Sequence, residues 1–259
     1  MINDIFSSLP LPQRDNKPRQ KGITVLLDLG IGPFQQKDII RTAGSYVDEA
    51  KIVASVAGLL PSDVLKEKAE LYREAQINMF LGGNFFEFAY NKGLVEQYFK
   101  CIKNAGLSMI EISDTLIDIR RDEKNHIIRH AIDDYGFKVM GEVGKKLKKS
   151  SLEEMVDDIN SCIEAGAEKV FLEAYDIFVE QDAERIIYGL GKKVSLNKII
   201  FELPATIFHG IHDYDRYKIM RLLNDIFGTD FNVGNVNPDE LLLLEMVRRG
   251  MRTDMLERK

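Results

Sequence analysis

An alternation of two kinds of segment, beginning at Gly22, most constrains the fold: short β-branched or aromatic runs alternate with longer amphipathic segments. The short runs predict buried strands, and the amphipathic segments predict helices. We predict eight strands, at residues 23–28, 47–54, 77–81, 108–112, 137–142, 169–173, 198–202 and 230–236. Each is followed by a segment long enough for a helix, so the pattern indicates eight successive β-α units.

Residues that favour the ends of helices support this division. Proline, serine or an acidic residue stands where helices should begin, as at Pro61, Ser151 and Pro238. Glycine favours the left-handed conformation that ends a helix. Three glycines, spaced by 30 residues, close helical segments just before a strand: Gly106, Gly136 and Gly166.

The number of units favours a closed barrel over an open sheet. Eight units of about 30 residues match a (β/α)8 barrel. The competing doubly wound sheet usually has a glycine-rich phosphate loop after its first strand, but residues 29–33 do not complete GxGxxG and Pro33 lacks a backbone donor. We therefore predict an α/β protein with a single (β/α)8 TIM barrel at residues 22–259. Residues 1–21, which hold three of the seven prolines, are predicted to form a flexible N-terminal arm.

Composition excludes several classes of protein. The chain has 41 acidic and 35 basic residues, a net charge of −6 that argues against broad nucleic-acid binding but permits a local basic pocket. Charges interrupt every apolar stretch well before the about 20 residues needed to cross a bilayer. The N-terminus lacks the pattern of a secretory signal, so we expect a cytoplasmic protein without a membrane partner. Two cysteines cannot form a disulfide framework.

Four glutamates end consecutive predicted strands. Catalytic groups of a barrel lie at the C-terminal ends of its strands. The glutamates are separated by 31, 31 and 29 residues, close to the repeat itself, and are Glu111, Glu142, Glu173 and Glu202. Converging carboxylates repel one another unless a cation compensates. Oxygen ligands of this kind favour Mg²⁺ over zinc, and the alternative is that each glutamate pairs with a loop lysine or caps the next helix.

Three lysines fall in the same predicted layer. Lys51 lies inside an apolar strand, where it needs a carboxylate partner or a substrate anion. Lys145 and Lys146 follow Glu142 in the loop after strand 5; the alternative is a solvated charge run continuing to Lys149. These lysines are candidates for binding or protonating an anion.

Two turns are candidate anion sites. The amides of Gly82-Gly83-Asn84, after strand 3, are predicted to meet an oxyanion. The segment Asn232-Val233-Gly234-Asn235 leads into a helix near Pro238, in the region where barrels often bind phosphate.

The four histidines are weaker candidates. His126 and His130 should lie on the surface of an outer helix, whereas His209 and His212 follow strand 7 and lie within reach of the mouth.

Nine segments, in order along residues 22–252, carry a resemblance that goes beyond the barrel. They are GITVLLDLG, AGSYVDEAKI, LKEKAELYREAQI, GGNFFEFAYNKG, MIEISD, GFKVMGEVGKK, NKIIFELP, the Asn-Val-Gly-Asn segment and EMVRRGMR. Together they resemble the phosphosulfolactate synthase family. The resemblance implies a (β/α)8 barrel that acts as a carbon-sulfur lyase. With Mg²⁺, the family adds sulfite to the methylene carbon of phosphoenolpyruvate, giving 2-phospho-3-sulfolactate on the route to coenzyme M or sulfolactate.

The resemblance also implies roles for individual residues. Lys146 is the candidate general acid with Lys145 beside it, and Lys51 neutralises substrate anions. The substrate-binding set is Gly82, Gly83, Asn84, Asn232, Gly234 and Asn235, and the metal set is Glu111, Glu142 and Glu173. The expected partners are a small anionic substrate and further copies of this chain.

Two positions depart from the family pattern in charge. Leu29 and Tyr175 stand where the family has cations. A divergent paralogue that uses another nucleophile, enol or phosphorylated small acid is therefore an alternative. A catalytically silent barrel that serves as a binding protein is another.

Overall fold

Eight parallel strands form the centre of the protein. The computed structural model describes residue 8 and residues 14–53, 56–146, 149–178, 183–206 and 210–251. The strands are β1 (Thr24–Asp28), β2 (Glu49–Ile52), β3 (Asn78–Leu81), β4 (Met109–Ile112), β5 (Lys138–Val143), β6 (Lys169–Leu172), β7 (Ile199–Glu202) and β8 (Val233–Val236). Their hydrogen-bonded order is β3-β2-β1-β8-β7-β6-β5-β4, and β3 also lies beside β4, so the barrel nearly closes.

Helices alternate with the strands around this barrel. They are α1 (Pro33–Ala43), α2 (Val56–Leu59), α3 (Ser62–Glu74), α4 (Gly83–Asn91), α5 (Val95–Asn104), α6 (Arg121–Asp133), α7 (Leu152–Glu164), α8 (Ala174–Phe178), α9 (Ala183–Lys193), α10 (Asp213–Phe227) and α11 (Leu241–Arg248). Short 3₁₀ turns lie at Gly44–Tyr46, Leu196–Lys198, Gly228–Asp230 and Pro238–Glu240. The architecture is a (β/α)8 TIM barrel, as the sequence predicts.

All eight predicted strands are present, with small differences at their ends. The largest is in β8, which begins at Val233 rather than at residue 230, because Gly228–Asp230 forms a 3₁₀ turn. In the second unit the described strand ends at Ile52, and Ala54, the last residue of that prediction, lies outside the described residues. Hydrogen-bonded pairing with neighbouring strands sets the ends of each strand, and the strand propensity of a single segment does not specify that pairing.

The predicted helix boundaries are also found. Ser151 begins α7 with a capping box in which its hydroxyl accepts from the Glu154 amide and the Glu154 carboxylate accepts from the Ser151 amide. Each of the three glycines spaced by 30 residues has a positive φ: Gly106, Gly136 and Gly166.

The interior of the barrel has an apolar layer toward the N-terminal ends of the strands and a charged layer of buried glutamates toward their C-terminal ends. The apolar layer consists of Ile23, Val25, Phe80, Met109, Met140, Phe171 and Ile200. Alternate residues of a strand face the same side of a sheet, so the inward position next along four strands is a glutamate. These are the predicted glutamates, Glu111, Glu142, Glu173 and Glu202, and all four are buried. The fold therefore gathers them at the C-terminal end of the barrel.

Gly234 belongs to this packed interior and not to a phosphate-binding turn. A Cβ on Gly234 would lie 2.8 Å from Cε1 of the Phe171 ring, so the ring occupies the space that a side chain would need. Lys51 Nζ lies 4.4 Å from the centroid of the same ring, on its way to the mouth. Gly234 thus helps to position the Phe171 ring beneath the charged layer. The space beside Gly234 holds this ring and not a phosphate, so the predicted phosphate contact at Gly234 is not found.

Residues 14–21 contact the opposite end of the barrel. Arg14 pairs with Glu245, Arg19 pairs with Asp48 at 2.9 Å, and Lys21 pairs with Asp230 at 2.6 Å. The division between an arm and a barrel at residue 22 stays a prediction. In the described part of the chain, no helix has the length and apolar character needed to span a membrane.

The contact between Gly234 and Phe171 gives a stability prediction. We expect Gly234→Ala to lower the free energy of unfolding by about 1–3 kcal/mol, because the added methyl group overlaps the Phe171 ring in a packed core. Urea denaturation measures the change. At Gly32 a Cβ would meet no atom within 4 Å, so Gly32→Ala is the control for adding a methyl group. Gly32 is the N-cap residue of α1, where alanine is less favourable than glycine, so we expect a loss of about 1 kcal/mol or less, smaller than that of Gly234→Ala. Equal losses in the two variants would contradict the packing argument.

Candidate functional site

A cavity that is open to solvent lies at the C-terminal ends of the strands. Its charged lining comprises Lys51, Glu111, Glu142, Lys146, Glu173 and Glu202. Its other lining residues are Leu27, Leu29, Val53, Gly82, Gly83, Asn84, Ala174, Leu203, Pro204, Ala205, Thr206, Asn235 and Asn237. The position is the one where barrel enzymes carry their active sites.

Lys51 joins two glutamates from opposite parts of the chain. Its Nζ lies 2.8 Å from Oε1 of Glu111 and 2.6 Å from Oε1 of Glu202. Lys51 is only 7% exposed. The two glutamates are the carboxylate partners that the sequence predicts for a lysine buried in this strand. Burial would lower the pKa of Lys51, but the charges of Glu111, Glu202 and Glu142 raise it well above its ordinary value. Lys51 is therefore held as a cation.

The glutamates differ in how readily they ionise. Burial raises the pKa of Glu111 to about 7 against the opposing charge of Lys51. Burial also raises the pKa of Glu202 well above its ordinary value, and the charges of Glu142 and Glu173 add to the effect. The pKa of Glu142 is lowered instead, because Lys51 and Lys146 outweigh its burial. The layer thus contains carboxyl groups that ionise less readily than usual beside one that ionises more readily.

Lys146 is the second cation of the cavity. Its Nζ lies 3.4 Å from Oε2 of Glu173 and 3.3 Å from Oδ1 of Asn84. Burial would lower the pKa of Lys146, but Glu142, Glu173 and Glu202 raise it above its ordinary value. The ammonium group is therefore protonated and faces the cavity, as a general acid must be.

Lys145 points away from the cavity, although it is adjacent in sequence. Its Nζ donates to the Asp114 carbonyl at 2.6 Å and to the Ile117 carbonyl at 2.9 Å, and it also pairs with the Asp114 carboxylate. The preceding Gly144 has a φ of +101°, so the backbone turns just before the two lysines. The structure therefore does not bring Lys145 to the predicted catalytic group.

Three carboxylates form a compact oxygen cluster. One oxygen from each of Glu111, Glu142 and Glu202 lies within 4.8 Å of the other two. The sequence predicts Glu173 as the third member, but Glu173 stands beside Lys146, and its Oε1 accepts from the Tyr175 amide at 3.1 Å. Glu202 carries the same strand-end signal as the others, so the sequence contains the information needed to include it.

The amides of Gly82 and Gly83 are already engaged. The Gly82 amide donates to the Ile52 carbonyl at 2.8 Å, and the Gly83 amide donates to Oε2 of Glu111. They are thus not free to meet an oxyanion as predicted. Gly83 instead orients Glu111, and Asn84 contributes its side chain beside Lys146.

Residues of the eighth unit are divided between the two ends of the barrel. Asn232 lies at the opposite end, where its Nδ2 donates to the Leu196 and Ile199 carbonyls, so the structure does not bring it to the mouth. Asn235 lines the cavity. A strand rises about 3.3 Å per residue, so the segment predicted as one turn spans much of the barrel.

The histidines do not line the cavity among the described residues. His130 lies between Glu96 and Asp134 on the outer surface, and His212 is the N-cap residue of α10. His209 lies outside the described residues.

Several lining residues were not identified from the sequence, among them Asn237 and Pro204. Asn237 accepts in a capping box with Glu240, and Pro204 follows β7. Neither has a charged or nucleophilic group to mark it, and only the closed barrel reveals that both face the cavity.

The raised pKa of Glu111 predicts a pH effect on stability. Its pKa rises from 4.5 to about 7 on folding, so the folded protein holds a proton that the unfolded chain releases. The associated stability is present below the unfolded pKa and is lost as pH rises through the folded pKa. Between about pH 5 and about pH 8, we expect Glu111→Gln to gain free energy of unfolding relative to wild type, because the amide cannot ionise. Urea denaturation across this range measures it.

Glu184→Gln is the control for loss of one negative charge, since Glu184 is an exposed residue of α9. Parallel pH profiles for wild type and Glu111→Gln would show that Glu111 is not a source of the dependence.

Comparisons with known proteins bear on the family to which this chain belongs. A family model described as "(2R)-phospho-3-sulfolactate synthase (ComA)" matches residues 12–254. The phosphosulfolactate synthase of Methanothermobacter thermautotrophicus is 33% identical over 257 residues, covering 95% of each chain, and that of Bacillus subtilis is 31% identical over 98% of each. A phosphonopyruvate hydrolase solved with oxalate and Mg²⁺ shares the fold, with a TM-score of 0.53, 14% identity and coverage of 91% of this chain and 85% of the other. The chain therefore belongs to the phosphosulfolactate synthase family.

Proposed function

We propose that this protein catalyses the Mg²⁺-dependent addition of sulfite to phosphoenolpyruvate, giving 2-phospho-3-sulfolactate. The observation that carries the proposal is the protonated Lys146 in a cavity floored by buried glutamates. It is supported by membership of a family whose relatives are named phosphosulfolactate synthases.

The chemistry requires one bond to form and one proton to be delivered. The sulfur lone pair of sulfite attacks the methylene carbon, and the electrons of the C2–C3 double bond move toward the substrate carboxylate. Lys146 then donates its proton to C2, which completes the addition. Lys51 adds positive charge beneath the site and Asn84 holds the Lys146 ammonium in place.

The oxygen cluster fits a divalent cation. Glu111, Glu142 and Glu202 offer hard oxygen ligands of the kind that Mg²⁺ prefers. A bound Mg²⁺ would supply positive charge where negative charge develops on the substrate carboxylate. The phosphonopyruvate hydrolase that shares this fold was solved in complex with Mg²⁺, which supports the same choice of metal.

One observation favours a related reaction as the second candidate. Lys51 and Lys146 are the cations of the described lining, and both already pair with glutamates, while Leu29 lines the cavity with 60% of its surface exposed. A paralogue that uses a less charged nucleophile would suit this lining. A homo-oligomer, a cytoplasmic location and the lack of nucleic-acid partners stay predictions from the sequence.

The two adjacent lysines provide a matched test of the reaction. With phosphoenolpyruvate, sulfite and Mg²⁺, we expect wild type to form a sulfonated adduct that mass spectrometry identifies as 2-phospho-3-sulfolactate. Lys146→Ala should slow this at least about a hundredfold through loss of the general acid. Lys145→Ala should keep most of the rate, because its ammonium binds carbonyls outside the cavity. If wild type forms no adduct while a family member does, the proposed reaction is wrong.

A second test addresses the metal. Chelation should abolish turnover, and titration calorimetry should show that Glu142→Gln and Glu202→Gln weaken Mg²⁺ binding at least about tenfold through loss of a ligand. Glu173→Gln is the matched comparison, because Glu173 lies outside the three-oxygen cluster and should affect binding less. A larger effect at Glu173 than at Glu202 would restore the ligand set predicted from the sequence.

A further inference from the structure

Arg216 of α10 is a fully buried guanidinium group that lies behind the cavity wall. It is 1% exposed, and it is absent from the cavity lining. Its Nε and Nη2 donate to the two carboxylate oxygens of Glu240, each at 2.6 Å. This paired geometry fixes the plane of the guanidinium group.

The same guanidinium group holds two segments of the mouth. Its Nη1 donates to the Pro204 carbonyl after β7, and its Nη2 donates to the Asn235 carbonyl in β8 at 2.6 Å. Its partner Glu240 also accepts from the Asn237 amide at 2.9 Å. Pro204, Asn235 and Asn237 all line the cavity, so a single ion pair outside it fixes three of its wall residues.

Asn235 shows what this arrangement achieves. Its φ of +56° is a left-handed conformation, which asparagine adopts more readily than most residues other than glycine. Asn235 lines the cavity, and its side-chain Oδ1 is buried without a hydrogen-bond partner. A phosphate oxygen only accepts hydrogen bonds from such an amide, so the group that can bind a phosphorylated ligand is the Nδ2 donor of the same side chain. The left-handed backbone, fixed at its carbonyl, and this donor on the cavity wall together point to a ligand-binding group.

We propose that Arg216 is a positioning residue that, with Glu240, presents the Asn235 amide to the phosphorylated substrate. The inference rests on the proposed function, since it assigns the substrate's polar contact at that same mouth. Arg216 touches no substrate itself. Its effect passes through the Asn235 carbonyl to the side-chain amide.

Arg248 provides a matched control at the other end of the barrel. It is also buried, at 2% exposure, and donates to Oγ1 of Thr24 at 2.6 Å and to the Phe231 carbonyl at 2.9 Å. None of its hydrogen-bond partners lines the cavity. Arg216→Lys and Arg248→Lys each keep a positive charge but lose the planar guanidinium group, which donates hydrogen bonds to several acceptors at once. The two changes should therefore have similar structural costs and different effects on the ligand.

The experiment measures phosphoenolpyruvate binding by calorimetry in the presence of Mg²⁺, with circular dichroism to verify folding. We expect Arg216→Lys to raise the Kd about tenfold or more, as loss of a hydrogen bond to a polar ligand group does. Arg248→Lys should leave Kd near the wild-type value. In the sulfite assay, KM should rise more than kcat falls in Arg216→Lys. Equal weakening in both variants, or wild-type binding in Arg216→Lys, would overturn the inference.

Asn235→Gly separates positioning from a general structural role, and it also serves if Arg216→Lys does not fold. Glycine tolerates the positive φ, so the variant removes only the amide. It should weaken phosphoenolpyruvate binding, and the double variant should be no weaker than the weaker single variant, because Arg216 acts through Asn235. Unchanged binding in Asn235→Gly, or additive losses in the double variant, would overturn the inference.

The proposed reaction and this inference fail in different ways. If wild type binds phosphoenolpyruvate but forms no sulfonated adduct, the reaction is wrong while the Kd comparison still decides the role of Arg216. If wild type binds neither phosphoenolpyruvate nor inorganic phosphate, Asn235 faces no phosphorylated substrate and the inference is wrong.

Discussion

The ion pairs of Lys51 with Glu111 and Glu202 make the rest of the site possible. Four buried carboxyl groups above an apolar interior would repel one another and lose hydration without an internal cation. Lys51 reaches them by crossing the face of Phe171, and Phe171 occupies the space left by Gly234. The charged layer thus packs directly on the apolar layer, and a substitution that moves the Phe171 ring would also move Lys51 at the mouth.

The layer still carries more carboxyl groups than cations, and this imbalance links protons to metal binding. Four glutamates face two lysines in the described lining, and the raised pKa values of Glu111 and Glu202 mean that proton binding to this layer relieves part of the excess negative charge. A divalent cation at the same oxygens would replace those protons, because coordinating carboxylates must be ionised. Cation binding to such a cluster therefore becomes stronger as pH rises toward the raised pKa values.

The sequence predicts what repeats once per unit and misses what depends on barrel closure. The glutamates are identifiable because an inward strand-end position recurs every 29 to 31 residues. The pairing of Lys51 with Glu202 joins residues 151 positions apart, which no local pattern contains. Lys145 and Lys146 are equivalent in sequence, and only the carbonyls around Asp114 decide which of them turns away. The prediction for Asn232 is wrong because it treats a strand segment as a single point at the mouth.

Buried polar groups outside the cavity determine the positions of the loops that form it. The Asp28 carboxylate accepts from the Gly30 amide at 2.9 Å and fixes the loop after β1, while Glu87 accepts from the Thr115 amide at 2.8 Å and fixes the loop after β4. Arg216 does the same after β7 and in β8. A side chain that bonds backbone behind a wall constrains that wall without occupying space inside it. The shape of the mouth therefore depends in part on buried charged residues that lie outside the cavity.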